Sequence, residues 1–281
     1  MQERTLSASQ IQDYAQHLIE EERAPATVEK YLRDIRAFLA WTARRPVTRE
    51  LGGQWKNELL DSGLAPATVN AKLSALNSLF RYLGWDECRV RFLKVQRQVF
   101  RDASKELTKT EYVRLLETAR RQGNKSLELL METICAAGIR VSETRHITVE
   151  AAEAGRAEIR LKGKIRTILL PGKLCRKLLK YAKKQKIASG EIFLTQSGAP
   201  ITRHQIWQAM KSLCAASGVE ASKVFPHNLR HLFACVFYQA TRDIVKLADV
   251  LGHSSINTTR IYLRTTGAEH TRQLELLGLI C

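Results

Sequence analysis

One short stretch occurs twice in this chain and limits what its first third can become. Ala24-Pro25-Ala26-Thr27-Val28 returns as Ala65-Pro66-Ala67-Thr68-Val69. Proline is favoured just inside a helix start, because the N–H it lacks would have no partner there. Each copy is followed by apolar residues at helical spacing: Tyr31, Ile35, Phe38 and Leu39 after the first, Leu73, Leu76, Leu79 and Phe80 after the second. Two copies do not make a solenoid. They predict two helical hairpins packed as a small bundle over residues 1–87. Ser7-Ala8-Ser9-Gln10 is a capping-box signature that opens its first helix.

From 88 to 106 the pattern changes to a basic, weakly periodic run, read as a linker. Thr108 to Glu111 is another capping box and starts a second domain, 107–281. Leu127 to Ala137 is a strongly apolar helix ended by Gly138, with Arg140 beginning the next turn. Glu158–Lys162 and Arg166–Leu170 read as a hairpin turning near Gly163. Its alternation puts Arg160 and Lys162 on one face and Ile159 and Leu161 on the other. A Lys- and Arg-rich helix follows, and Thr202 to Gln205 caps another. The chain is expected to be helical again from Leu229, and Ile244 to Leu251 forms a helix closed by Gly252. The fold class is mainly α with a small β-sheet.

Charge narrows the partners. The chain has 45 Lys+Arg against 28 Asp+Glu, a net +17. A solvated basic surface would account for part of this, but an excess of this size points first to a polyanion such as nucleic acid. Lys30, Arg33, Arg36, Arg44, Arg45, Lys72 and Arg81 place much of it on the N-terminal bundle. No run approaches the ~18 apolar residues of a membrane span, and the start lacks the apolar core of a signal peptide. The expectation is a cytosolic (cytoplasmic) protein with no membrane partner. Six scattered cysteines form no Cys-x-x-Cys pair, so neither zinc nor a disulfide framework is expected. No acidic cluster suits Mg²⁺ and no Gly-rich loop suits ATP, so no cofactor or metal is expected.

The chemistry gathers late in the chain. His227 and Arg230 are spaced to share one helix face, and Glu143 is spaced to orient Arg140. Arginine forks suit non-bridging phosphate oxygens, and with His253 these two would hold a phosphodiester. Tyr262 is the candidate nucleophile, and Lys162 or Lys164 a candidate general acid. On one continuous helix His253 and Tyr262 would point to opposite sides. His253 therefore precedes a helix capped by Ser254 or Ser255, or the helix breaks before Tyr262. His231 reads as a packing residue.

Arg140-Val141-Ser142-Glu143, Lys162-Gly163, His227-Asn228-Leu229-Arg230-His231, Leu251-Gly252-His253-Ser254-Ser255 and Tyr262, in that order, resemble the tyrosine recombinase (phage integrase) family. The bundle resembles the family's SAM-like core-binding domain, a weaker match. The resemblance implies a C-terminal mixed α/β catalytic domain in which Arg140, Arg230 and His253 bind the scissile phosphate. It gives Lys162 the protonation of the leaving 5′ oxygen, His227 an assisting role, and Tyr262 a 3′-phosphotyrosyl link to DNA. The implied partners are double-stranded DNA, a homo-tetramer on paired sites and potential accessory proteins, with Ala268–Leu277 docking on a neighbour. The short hairpin departs from the family's longer Gly/Asn/Lys-rich turn, which leaves Lys164 open as the acid. The chain opens directly on the bundle, as compact Xer-type or mobile-element members do. A type IB topoisomerase-like enzyme and a non-catalytic DNA-binding protein of the same fold are the alternatives.

Overall fold

The computed structural model describes residues 4–95, 103–161, 164–263, 271–272 and 275–276. The chain divides into two compact units, Met1–Arg97 and Gln98–Cys281. The first unit is built from four helices: α1 (Ala8–Glu20), α2 (Pro25–Thr42), α3 (Arg49–Asp61) and α4 (Pro66–Tyr82). Ser7 and Gln10 form the expected reciprocal cap on α1, and Pro25 and Pro66 open α2 and α4. Tyr14, Ile35, Phe38, Leu73, Leu76 and Phe80 are buried at the centre. The Phe38 ring meets Trp55 edge-on at 5.0 Å, which ties α3 to the core.

Helix α3 contains Gly52 and Gly53, weak helix formers, but packing overrides propensity here. Leu51 and Trp55 are buried, and a Cβ on Gly52 would lie 2.5 Å from Val90 Cγ2. The stretch expected to be a linker begins inside this core. Cys88 and Val90 are buried, and Asn77 donates Nδ2–H to Val90 O while accepting from Val90 N–H, both at 2.9 Å. Asn70 repeats the pairing with Leu93, two turns earlier on α4. Residues 96–102 lie outside the described residues.

The second unit contains α5 (Lys109–Arg121), α6 (Lys125–Ala137), α7 (Val149–Ala154), the antiparallel strands β1 (Arg156–Leu161) and β2 (Lys164–Leu169), α8 (Gly172–Lys184), α9 (Arg203–Lys211), α10 (Cys214–Ser217), α11 (Pro226–Thr241), α12 (Ile244–Leu251) and α13 (Ile256–Thr259). The reciprocal caps Thr108/Glu111 and Thr202/Gln205 are present. Helix α6 is buried on nearly every side, as its apolar sequence demands. Its one buried charge, Glu128, accepts from Arg120 and Lys125. Cys88 and Cys175 are buried and the other described cysteines are partly so, all as free thiols.

Two details of the sequence reading change. Helix α11 starts at Pro226, not Leu229, so His227 sits in its first turn. Proline at the first helical position does here what it does in α2 and α4. The hairpin is present with Leu161 paired to Lys164, but its strands start earlier than expected, at Arg156 instead of Glu158 and at Lys164 instead of Arg166. Lys162 and Gly163, the expected acid and turn, lie outside the described residues, as do the side chains of Arg160 to Ile165. The expected docking segment, Ala268–Leu277, is described only at 271–272 and 275–276.

Candidate active site

The site is assembled from helix ends. Helix α6 stops at Gly138, which takes the left-handed conformation (φ 61°), and the chain turns into Arg140. Arg140 precedes a 3-10 segment, Val141–His146, and Glu143 reaches back to it. The Glu143 carboxylate accepts from Arg140 N–H at 2.8 Å and Arg140 Nη1 at 2.9 Å. It is 1% exposed. Burial alone would raise its pKa, but the Arg140 N–H together with Arg166 and the Arg140 guanidinium outweigh that and hold it below the ordinary value.

Arg230, from the second turn of α11, is 2% exposed. It donates Nη1–H to Gly138 O at 2.6 Å and Nη2–H to Leu251 O at 2.8 Å. Two helix C-termini thus present their otherwise unpaired carbonyls to one cation. Burial and then the Arg140 charge push the Arg230 pKa down to about 10, so it stays protonated at neutral pH. A second Nη2 contact reaches His253 Nε2 at 3.1 Å.

His253 follows Gly252, which closes α12 in the left-handed conformation (φ 64°). Ser255, one of the two serines expected to cap, is the N-cap of α13. His253 therefore precedes that helix. A guanidinium can only donate, so His253 Nε2 is the acceptor and the proton is on Nδ1, facing Thr259 Oγ1 at 2.9 Å. Burial, then Arg230, Arg140 and Arg166, lower the His253 pKa to about 4, which leaves the ring neutral. His227 is exposed beside Arg140 and Arg230. Desolvation beneath its ring and the charges of Arg230, Arg140 and Arg203 also lower its pKa.

Tyr262 sits on a separate single turn, Arg260–Leu263, after α13. Its ring is 5% exposed and packs with Ala234, Leu247 and Leu251. The ring stacks on His253 at 6.1 Å and meets His231 edge-on at 5.1 Å. His231 is thus a packing residue, as its sequence position indicated, and what it packs is the tyrosine. Five of the six sequence candidates, Arg140, His227, Arg230, His253 and Tyr262, come together. The sixth, Lys162, is outside the described residues. Arg166 and Thr259 belong to the same network and were not singled out from sequence. Nothing in their spacing marks them, although the strand alternation of β2 places Arg166 on the side of buried Ile168.

A cleft of about 610 Å³ opens along Arg140, His227 and Arg230, with Arg203, His204 and Trp207 of α9 on its other wall. The His204 and Trp207 rings stack at 6.1 Å. A cleft lined by cations and a half-exposed indole suits a phosphate backbone. Among the described residues there is no group of His, Cys, Asp or Glu that would hold a metal ion, and no helix is long and apolar enough to cross a membrane.

Two family models match this arrangement: the phage integrase family over residues 105–269, and the phage integrase N-terminal SAM-like domain over 11–87. The chain belongs to the phage integrase family, the tyrosine recombinases. It is 30% identical to tyrosine recombinase XerC of Erythrobacter litoralis, with 93% of this chain and 89% of the relative covered. It is 26% identical to tyrosine recombinase XerA of Pyrococcus furiosus, covering 97% and 95%. Its fold is similar to a lambda integrase dimer bound to a COC′ core site (TM-score 0.74, 18% identity, 92% of this chain and 78% of that one). It is also similar to the post-cleavage complex of XerH with a palindromic difH substrate (TM-score 0.72, 20% identity, 98% and 84%).

Proposed function

We propose that this member of the tyrosine recombinase family is a site-specific recombinase that cuts and rejoins double-stranded DNA through Tyr262. The observation that carries the reading is that Arg140, His227 and Arg230 line one cationic cleft, with His253 bonded to Arg230 and Tyr262 stacked on His253 behind it. Tyr262 Oη attacks phosphorus, the bond to O5′ breaks, and the 3′ phosphate remains on the tyrosine. A phenol is ionised to only about one part in a thousand at pH 7, so the attack needs a base. His227, neutral and open to the cleft, takes the proton. Arg140 and Arg230 offset the charge of the five-coordinate transition state. His253 braces Arg230 through Nε2 and is itself held by Thr259.

Lys162, with Lys164 as the alternative, gives a proton to the leaving 5′ oxygen. The phosphotyrosyl bond conserves the energy of the phosphodiester, so an incoming 5′ hydroxyl rejoins the strand without a cofactor. Arg36, Arg44 and Arg81, exposed on the N-terminal unit, add contacts to the DNA backbone. By likeness to a lambda integrase tetramer bound to a Holliday junction, the working form is a tetramer on paired sites. The outcome is integration, excision or resolution. We read the domains as 1–87 core-binding, 88–106 linker and 107–281 catalytic, with the protein acting in the cytoplasm.

The test is a nicked suicide duplex carrying a site selected by binding. The intact chain should form a covalent protein–DNA adduct, and Tyr262→Phe should bind but form none. An adduct with the Phe variant overturns the assignment of the nucleophile. Relaxation of a supercoiled plasmid lacking the site would favour topoisomerase-like action instead. Omitting and adding cell extract in the same assay reads out any need for accessory proteins. Contact with 6–10 phosphates should weaken binding by roughly 10³–10⁵ between 50 and 200 mM salt, and a flat response contradicts the DNA reading of the +17 charge.

A further inference from the structure

We infer that Arg166 is a positioning residue of the active site, a strut that fixes Arg140 and His253 relative to each other. The inference rests on the recombinase reading above. Arg166 lies on β2 opposite Ile159 and shares the inward side with Ile168, both of them buried. A strand residue that only filled this space would be apolar. Instead the guanidinium crosses the site and makes two attachments. Nη1–H donates to both Glu143 carboxylate oxygens at 2.9 Å, and Nη2–H donates to Val250 O at 2.7 Å.

Each attachment leads to a different part of the cleft. Glu143 orients Arg140 through its backbone N–H and Nη1. Val250 is the penultimate residue of α12, two before Gly252, and His253 donates its N–H back to Ala248 O in the same helix end. One side chain therefore sets the distance between the arginine that would grip the phosphate and the histidine that braces Arg230. Gly252 shows how closely the strut passes: a Cβ there would lie 2.4 Å from Arg166 Cδ and 2.5 Å from Nε. Burial lowers the Arg166 pKa and Glu143 acts against that, as expected of a cation taken into the protein for a specific partner. Apolar replacement of buried ionic groups is often neutral for stability, so the fold alone does not require an arginine here.

The full-length chain is compared with Arg166→Lys and Arg166→Met. Lysine keeps the charge but cannot fork to Glu143 and Val250 O together. On the nicked suicide duplex at saturating DNA, both variants should cleave slower by on the order of 100-fold, the cost of a displacement near 1 Å, with DNA affinity within about threefold. A wild-type rate in both variants overturns the inference. So does a loss of affinity as large as the loss of rate, which would mark a folding role. A 5′-bridging sulfur leaves without an acid. It should restore neither variant, and restoration would mean that Arg166 serves the lysine and not the arginine–histidine pair. A second readout needs no DNA: ¹⁵N shifts of the His253 ring should report protonated Nδ1 in the wild type and tautomer averaging in Arg166→Met. Unchanged shifts overturn the inference. If the wild type forms an adduct that Tyr262→Phe does not, and the Arg166 variants match the wild type, only this inference fails. If the wild type forms none while the ring shifts move, the recombinase reading fails and the strut stands.

Discussion

Gly252→Ala isolates the energy held where α12 meets the strand. Gly252 has φ 64°, and alanine in the left-handed region costs about 1–2 kcal/mol. Gly155 closes α7 at φ 68° with nothing within 4 Å of an added Cβ, so Gly155→Ala should lose that amount and no more. At Gly252 the new methyl meets Arg166 Cδ at 2.4 Å, in the middle of a side chain tethered at its far end by Glu143 and Val250 O. Arg166 must give up one attachment, and a charged hydrogen bond contributes about 1.5–3 kcal/mol. The expected total for Gly252→Ala is about 2.5–5 kcal/mol, roughly twice the control or more. For a unit of this size that corresponds to a Tm lower by about 5–20 °C, against about 2–8 °C for Gly155→Ala. Urea unfolding of the two variants beside the wild type measures the difference directly. Equal losses would refute the reasoning, because the glycine would then be needed only for its backbone angle and not for Arg166.

Three further outcomes follow from the same geometry. His253 has its folded pKa near 4, below the ordinary 6.5, so the unfolded chain binds more protons between these values. Stability should be full above about pH 6.5 and fall as pH drops towards 4, and the urea midpoint of His253→Gln should show a shallower fall. Asp34 is 3% exposed and accepts from Lys30 at 2.9 Å and Lys72 at 3.3 Å; Asp34→Asn should cost about 1–3 kcal/mol in urea unfolding. Asn77→Ala strips Val90 of both backbone partners in a buried position and should cost about 2 kcal/mol or more, with faster amide exchange at Val90 by NMR.

The helix starts were legible because capping is local. Ser7, Thr108 and Thr202 each sit three residues from a glutamate or glutamine, and every one caps as expected. Helix α11 starts three residues before the expected Leu229, because Pro226 obeys the same rule as Pro25 and Pro66. Two hairpins imply four helices, yet α3 carries two adjacent glycines that disfavour a helix, and tertiary contact with Val90 accounts for one of them. In the site, Arg140 with Glu143 and His227 with Arg230 could be read from their three-residue spacing. Arg166 could not. Its partners are a carboxylate and a carbonyl far away in sequence, and a strand arginine looks solvated until the register is known. The same holds for Thr259, whose bond to His253 depends on α13 folding back after Ser255.

Arg230 fastens the last carbonyls of α6 and α12 with one guanidinium. Helix ends ordinarily fray one at a time. Here fraying of α12 would strand a charge whose other donor is bound to α6 in the core, so the two ends open together or not at all. The cost of loosening the short helix beside the tyrosine is thereby raised to that of disturbing the most buried helix of the domain. The cradle inherits the rigidity of the core although it lies at an open cleft.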